Sequence, residues 1–290
     1  VDVAETLECQ RLSSRFDLPL AGPVDDPALL PYLDDVPPDV RRVAQATGLE
    51  PLLAARLRAR AQADVPAATA LDLDLVRALS SLEIQLAALL FEAQCVGNQM
   101  EALLREHESD HRVREITLTV TSVLLGAAAA TAAGVWELRG ADHDGPAVLA
   151  IAGGAASATL GLAAFIPERR AVLYPHPRNL LAPIVVGADP EGLYPTFVLR
   201  LLTAPPIDDR LIPRDELLRD WRRLLEAHVP ASRRALAERV LYGPGGVYDA
   251  DLVDLREQMF DVLESHLNSI YRDLELLYRF TDRLHDGPAP

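Results

Sequence analysis

The chain has 290 residues, a formal net charge of −15 and no lysine, so all 28 of its basic residues are arginine. Its length suits one large or two modest domains, and a composition of 49% hydrophobic and 24% charged residues excludes wholesale disorder. Phosphate neutralisation needs a concentrated basic face, so an acidic chain of this kind is read as one with no nucleic-acid partner. Exclusive use of arginine is the compositional mark of a GC-rich bacterial genome.

Residues 1–66 are rich in proline and aspartate and read as an N-terminal arm. It carries a short helix near Val40–Arg60, interrupted around Gly48 and Pro51. Residues 67–115 form a long helix of the body. Leu75, Leu79, Leu82, Leu86, Leu89, Ala93, Val96, Met100 and Leu103 recur at spacings of four and three, a heptad seam. The same rhythm closes the chain through Phe260, Leu263, Leu267, Ile270, Leu274, Leu277, Thr281 and Leu284. Two long amphipathic helices in one chain are expected to pack on each other.

Between them, residues 116–166 hold two uncharged runs, Ile116–Trp136 and Ala147–Ile166, joined by the polar turn Glu137–Pro146. At about 1.5 Å per residue each run reaches roughly 30 Å, the thickness of a bilayer core. Small residues recur at every fourth position: Gly126, Ala130 and Gly134 in the first run, Gly153, Ser157 and Gly161 in the second. That glycine-zipper spacing lets two helix backbones approach closely in lipid, so these six residues are expected to pack a transmembrane helical hairpin. Arg112 and Arg114 precede the hairpin, and Arg169 and Arg170 follow it. The positive-inside rule then places the body in the cytoplasm and the hairpin in the inner membrane, the alternative being a body that faces the periplasm. Cys9 and Cys95 are read as two unpaired thiols. A bridge between them would imply an oxidising compartment and contradict that topology.

Residues 167–212 are irregular and punctuated by proline, with short strands or turns expected there. Residues 213–290 return to helices: an apolar stripe of Leu217, Leu218, Trp221, Leu224 and Leu225, a short helix over about 231–241, and the closing seam. Gly243-Pro244-Gly245-Gly246 reads as a helix-to-helix turn.

Few residues suggest chemistry. His107-Glu108-Ser109-Asp110-His111 matches the bare H-E-x-x-H string on a helix, where residues four apart share a face and could hold zinc beside a general base. Over these five residues the chain resembles zincin metallopeptidases. It departs from them in the polar Ser109 and Asp110 and in the charged Arg105 and Glu106. A charged helix surface laced by i,i+4 pairs, or a pH-sensing pair of imidazoles, uses the same residues. His176, Arg178 and Asn179, between prolines, are candidates for contact with an anionic headgroup or partner. No cofactor is expected.

Over Leu71–Ile166 the architecture resembles bacterial two-transmembrane effector modules of the SLATT kind, and α-helical pore-forming proteins with a central apolar hairpin. The expectation is thus an all-α protein: an elongated helical bundle or coiled coil carrying a transmembrane hairpin. Its expected role is a non-enzymatic, membrane-anchored scaffold or envelope protein that self-associates through hairpin and coiled-coil helices. The expected partners are the lipid bilayer and further copies of the chain. A pore-forming effector with conditional insertion and a membrane-bound zinc metallopeptidase are the alternatives.

Overall fold

The computed structural model describes residues 20–138, 151–152, 154–159, 171–205 and 211–286; within these, the side chains of 101, 103–115, 132–138, 285 and 286 are excepted. The chain is predominantly helical, at 76% helix with one small sheet, so the all-α class holds. It divides into two compact units, one of Val1–Met100 with Leu173–Pro290 and the other of Glu101–Val172.

The first unit begins with helices where an arm is expected. A 3-10 turn at Leu30–Leu33 leads to α1 (Pro38–Thr47) and α2 (Glu50–Ala61). Gly48 separates the two helices at φ +71°, and a Cβ there would lie 2.9 Å from the backbone nitrogen of Ala21. The interruption expected at Gly48 is thus present, but Leu33, Val40, Val43, Leu53 and Ala54 are buried core. Glu50, itself buried, accepts from the Val24 amide at 3.1 Å, from Arg41 Nε at 2.9 Å and from Gln45 Nε2 at 2.9 Å. Hydrogen bonds from three directions hold a carboxylate where burial alone would expel it.

Helix α3 (Val65–Leu138) starts where Asp64 accepts the Ala67 amide at 3.1 Å, an aspartate cap on free N–H groups. Its seam residues Leu75, Leu79, Leu82, Leu86, Leu89, Ala93 and Met100 are all buried. Near Gly97 the helix runs against the last one, α8 (Ala250–Asp286): a Cβ on Gly97 would meet Phe260 at 3.8 Å, and Gln94 hydrogen-bonds Glu264. The closing seam is buried from Phe260 to Leu277, and its last members, Thr281 and Leu284, are half-buried. Helix α8 begins earlier than its seam, where Asp249 accepts the Leu252 amide at 3.1 Å.

The proline-rich stretch folds into β1 (Val172–Pro175), α4 (Leu181–Val186) and α5 (Thr196–Thr203). Helix α6 (Pro213–His228) buries Leu217, Trp221 and Leu225 of the expected stripe against α8, where Trp221 Nε1 donates to the Met259 carbonyl at 2.9 Å. A 3-10 turn at Ala231–Arg233 and α7 (Arg234–Tyr242) follow. The glycines after α7 are not a simple turn between helices. Gly245–Tyr248 forms β2, which pairs with β1 in a two-stranded sheet. A short strand whose partner lies some seventy residues away in sequence carries no local signal.

Cys95 is disulfide-bonded, which corrects the reading of two unpaired thiols; Cys9, the only other cysteine in the sequence, lies outside the described residues.

In the second unit, the Ser157 hydroxyl donates to the Ser122 carbonyl at 2.8 Å, and a Cβ on Gly126 would lie 3.2 Å from Ser157 Oγ. The expectation of a membrane protein with transmembrane helices is overturned. Among the described residues no helix is long and apolar enough to cross a membrane. Residues 116–131 carry no charge, and polar or small residues, among them Thr117, Thr119, Thr121, Ser122 and Gly126, alternate there with apolar ones. A run without charges is not by itself a membrane span.

Candidate functional site

Two features of the first unit combine unusual chemistry with a defined position: a buried polar cluster, and an apolar face of α3 that points to solvent.

The cluster forms where β1 and its following loop meet the end of α7, β2 and α8. Gly245 sits at φ +98°, with its Cα so near β1 that a Cβ would fall 2.3 Å from the Tyr174 carbonyl oxygen. Only glycine admits that approach, and it draws His176 to Tyr248. The Tyr248 hydroxyl lies 2.9 Å from His176 Nε2, and His176 Nδ1 lies 3.1 Å from the Gly243 carbonyl. A carbonyl can only accept, so Nδ1 carries the proton and Nε2 accepts from the phenol. Asn179 donates to the carbonyls of Leu241 at 2.9 Å and Gly243 at 2.8 Å. The Tyr174 hydroxyl donates to Gln99 Oε1 at 3.1 Å.

Arg256, from α8, closes the cluster from below. It is 1% exposed and donates to the Leu241 carbonyl at 2.9 Å and to Asn179 Oδ1 at 3.4 Å. Its guanidinium lies 5.1 Å from the centre of the Phe260 ring. Nε has no partner, and among the described residues no carboxylate pairs with this cation. The electrostatic consequences follow. Burial first, and then the Arg256 charge, push the His176 imidazole down to about 3, so it is neutral at physiological pH. Burial pushes the Tyr248 phenol up to about 12, with Arg256 opposing. A neutral histidine held between a phenol and a carbonyl is a structural hinge pin. It offers no lone pair or proton to a substrate, because both ring nitrogens are engaged.

The structure therefore brings His176 and Asn179 together, but in the interior, with their hydrogen-bonding capacity met by the chain itself. Arg178, beside them, reaches the buried Glu92 of α3 at 2.9 Å and ties the loop to the long helix. The backbone at His107, Glu108 and His111 is helical, and their side chains lie outside the described set. Among the described residues no group of three or more His, Cys, Asp or Glu side chains could hold a metal ion. Of the six small residues, Gly126 lies against Ser157, and Ala130 is exposed. Gly153 and Gly161 fall outside the described residues, as does the environment of Gly134.

The second feature was not legible as a site. On the side of α3 opposite its buried seam, Leu73 is 54% exposed, Val76 49%, Ile84 59% and Phe91 52%. Ser80 and Ala87 continue the same exposed row, giving spacings of three, four, four, three and four. Its charged members are Asp74, Arg77 and Glu83, all exposed. Single exposed leucines are ordinary, whereas a helical row of large apolar side chains facing water marks an interaction surface. The signal was present in the sequence as a second apolar phase on the helix, overshadowed by the stronger seam. In the second unit Ile116, Val120, Val123, Leu124 and Leu125 are likewise exposed. A shallow apolar groove of about 490 Å³ between Leu20, Gly48, Leu52 and Leu82 carries no ionisable lining residue.

No family model, curated protein or solved structure matches this chain.

Proposed function

We propose that this protein is a non-enzymatic helical scaffold that self-associates through apolar helix faces left exposed by its own fold. One observation carries the reading: the row Leu73, Val76, Ile84 and Phe91, at helical spacing, faces solvent opposite the buried seam Leu75, Leu79, Leu82, Leu86 and Leu89. Burying such a row yields about 25 cal/mol for each Å² removed from water, and a second helix is the surface that matches its spacing. The most elaborate polar cluster supports the same reading, because its groups bond to one another and hold the long helices together. Disulfide bonding of Cys95 supports a body that folds in an oxidising compartment.

Sedimentation velocity of the full chain up to about 100 µM tests the proposal, with a concentration-dependent oligomer as the expected result. A monomer throughout that range overturns it.

A further inference from the structure

We infer that residues 10–19 are a redox-sensitive strap along α3, closed at one end by a disulfide between Cys9 and Cys95 and seated at the other in the apolar groove beside Gly48. The inference is independent of self-association.

Both ends of the strap are fixed on described residues. Cys95 of α3 is disulfide-bonded, and Cys9 is the only other cysteine in the sequence, so the bond ties the start of the segment to the long helix. Its other end runs into Leu20, the first described residue. A Cβ on Gly48 would lie 3.1 Å from the Leu20 Cβ. The residues that follow are held as well: the Ala21 carbonyl accepts from Arg200 Nη1 at 3.5 Å, and the Val24 amide donates to Glu50 at 3.1 Å. Leu20 shares the groove with Leu52, Ala55, Ala78 and Leu82, and the last two belong to α3. From Leu82 to Cys95 the helix rises about 20 Å, while the chain from Cys9 to Leu20 reaches at most roughly 36–40 Å. The segment therefore stays beside α3 and runs antiparallel to it.

Its composition fits the groove, which has no ionisable lining residue. Leu12, Phe16 and Leu18 are its large apolar residues. Leu18 precedes Pro19, whose ring keeps it extended and so presents it to the wall that Leu20 lines. Pro19 has no N–H to strand there. The disulfide makes this closure reversible. A dithiol reductant passes two electrons and two protons to the S–S bond, which breaks to leave thiols on Cys9 and Cys95, while the dithiol closes into its own disulfide. The reduced protein then presents the groove that the oxidised protein covers.

Limited trypsin digestion of the full chain, read by mass spectrometry, tests the strap, because Arg11 and Arg15 place two cleavage sites within it. In the oxidised protein both sites should be cut at least about tenfold more slowly than after reduction with dithiothreitol, since a docked site is cut only when it opens. Cys9→Ser, which leaves α3 untouched, should be cut as fast as the reduced chain in either condition. Leu18→Asp keeps the disulfide but brings a charge to the groove, and should speed cutting at Arg15 about tenfold. Arg256, buried in α8, reports global opening and should stay uncut throughout. Equal rates in oxidised and reduced protein, or a Leu18→Asp variant as resistant as wild type, overturn the strap. Cutting at Arg256 that rises in step with the strap sites, or a disulfide that joins two copies on a non-reducing gel, overturns it too.

Discussion

At the scale of single residues, the unusual group is Arg256, a buried cation held without a carboxylate. Its stability comes from the Leu241 carbonyl, Asn179 Oδ1 and the face of Phe260. Arg256→Ala strands those acceptors and leaves a void, so it should cost about 3 kcal/mol in urea unfolding, with Arg256→Met costing less. His176 makes a second prediction. Its folded pKa is held down to about 3, below the value near 6.5 of an unfolded chain. Between those values the unfolded chain binds a proton that the native state refuses, so stability rises with pH and falls as pH drops below about 6.5. The slope from this one group approaches about 1.4 kcal/mol per pH unit. His266, also lowered by burial, adds the same sign. Asp273 and Glu264, raised by burial, oppose it in the carboxylate range. Unfolding measured at about pH 6.5 and 5.5 therefore reads the histidines, and His176→Gln should flatten the difference.

At the scale of elements, the two-stranded sheet is the clasp that holds the mid-chain loop onto the C-terminal helices, and Gly245 is its closest point. Gly245→Ala combines a left-handed φ with a Cβ driven into the Tyr174 carbonyl. The expected loss is about 3 kcal/mol, read as a lower Tm, together with faster hydrogen exchange at the His176 amide, which donates to the Pro244 carbonyl at 2.8 Å. Exchange unchanged from wild type would mean that the strands do not pair as described. The helices behave differently, because each combines a cap with a seam. Asp64 and Asp249 start α3 and α8, and their leucines bury against the rest of the unit. No single exposed residue on them should matter to folding.

At the scale of the whole molecule, the acidic balance opposes the association proposed here. Two copies each bearing a formal charge of −15 repel one another, and at about 10 mM salt that field reaches roughly 30 Å. Raising salt to about 300 mM should therefore tighten the association, because screening relieves the net repulsion. Sedimentation equilibrium at the two salt concentrations decides the point. Weaker association at high salt would mean that ion pairs, and not the apolar row, supply most of the affinity.

Sequence periodicity alone determined the helices and their inward faces. The seams at Leu75–Met100 and Phe260–Leu277, the stripe Leu217–Trp221–Leu225 and the break at Gly48 are local patterns of spacing and backbone freedom, and the fold contains them all. Charge counting did less well. Residues 116–131 lack charges, yet no described helix is long and apolar enough to cross a membrane. Only the tertiary structure decided what lies beyond nearest neighbours. It joined β1 to β2, enclosed His176, Asn179 and Arg256 in one cluster, and bonded Cys95 in a disulfide. It also showed that Leu73, Val76, Ile84 and Phe91 face water. The reason is physical: a helix records in its own spacing which residues share a face, but which faces find a partner within the chain depends on every other element that competes for them.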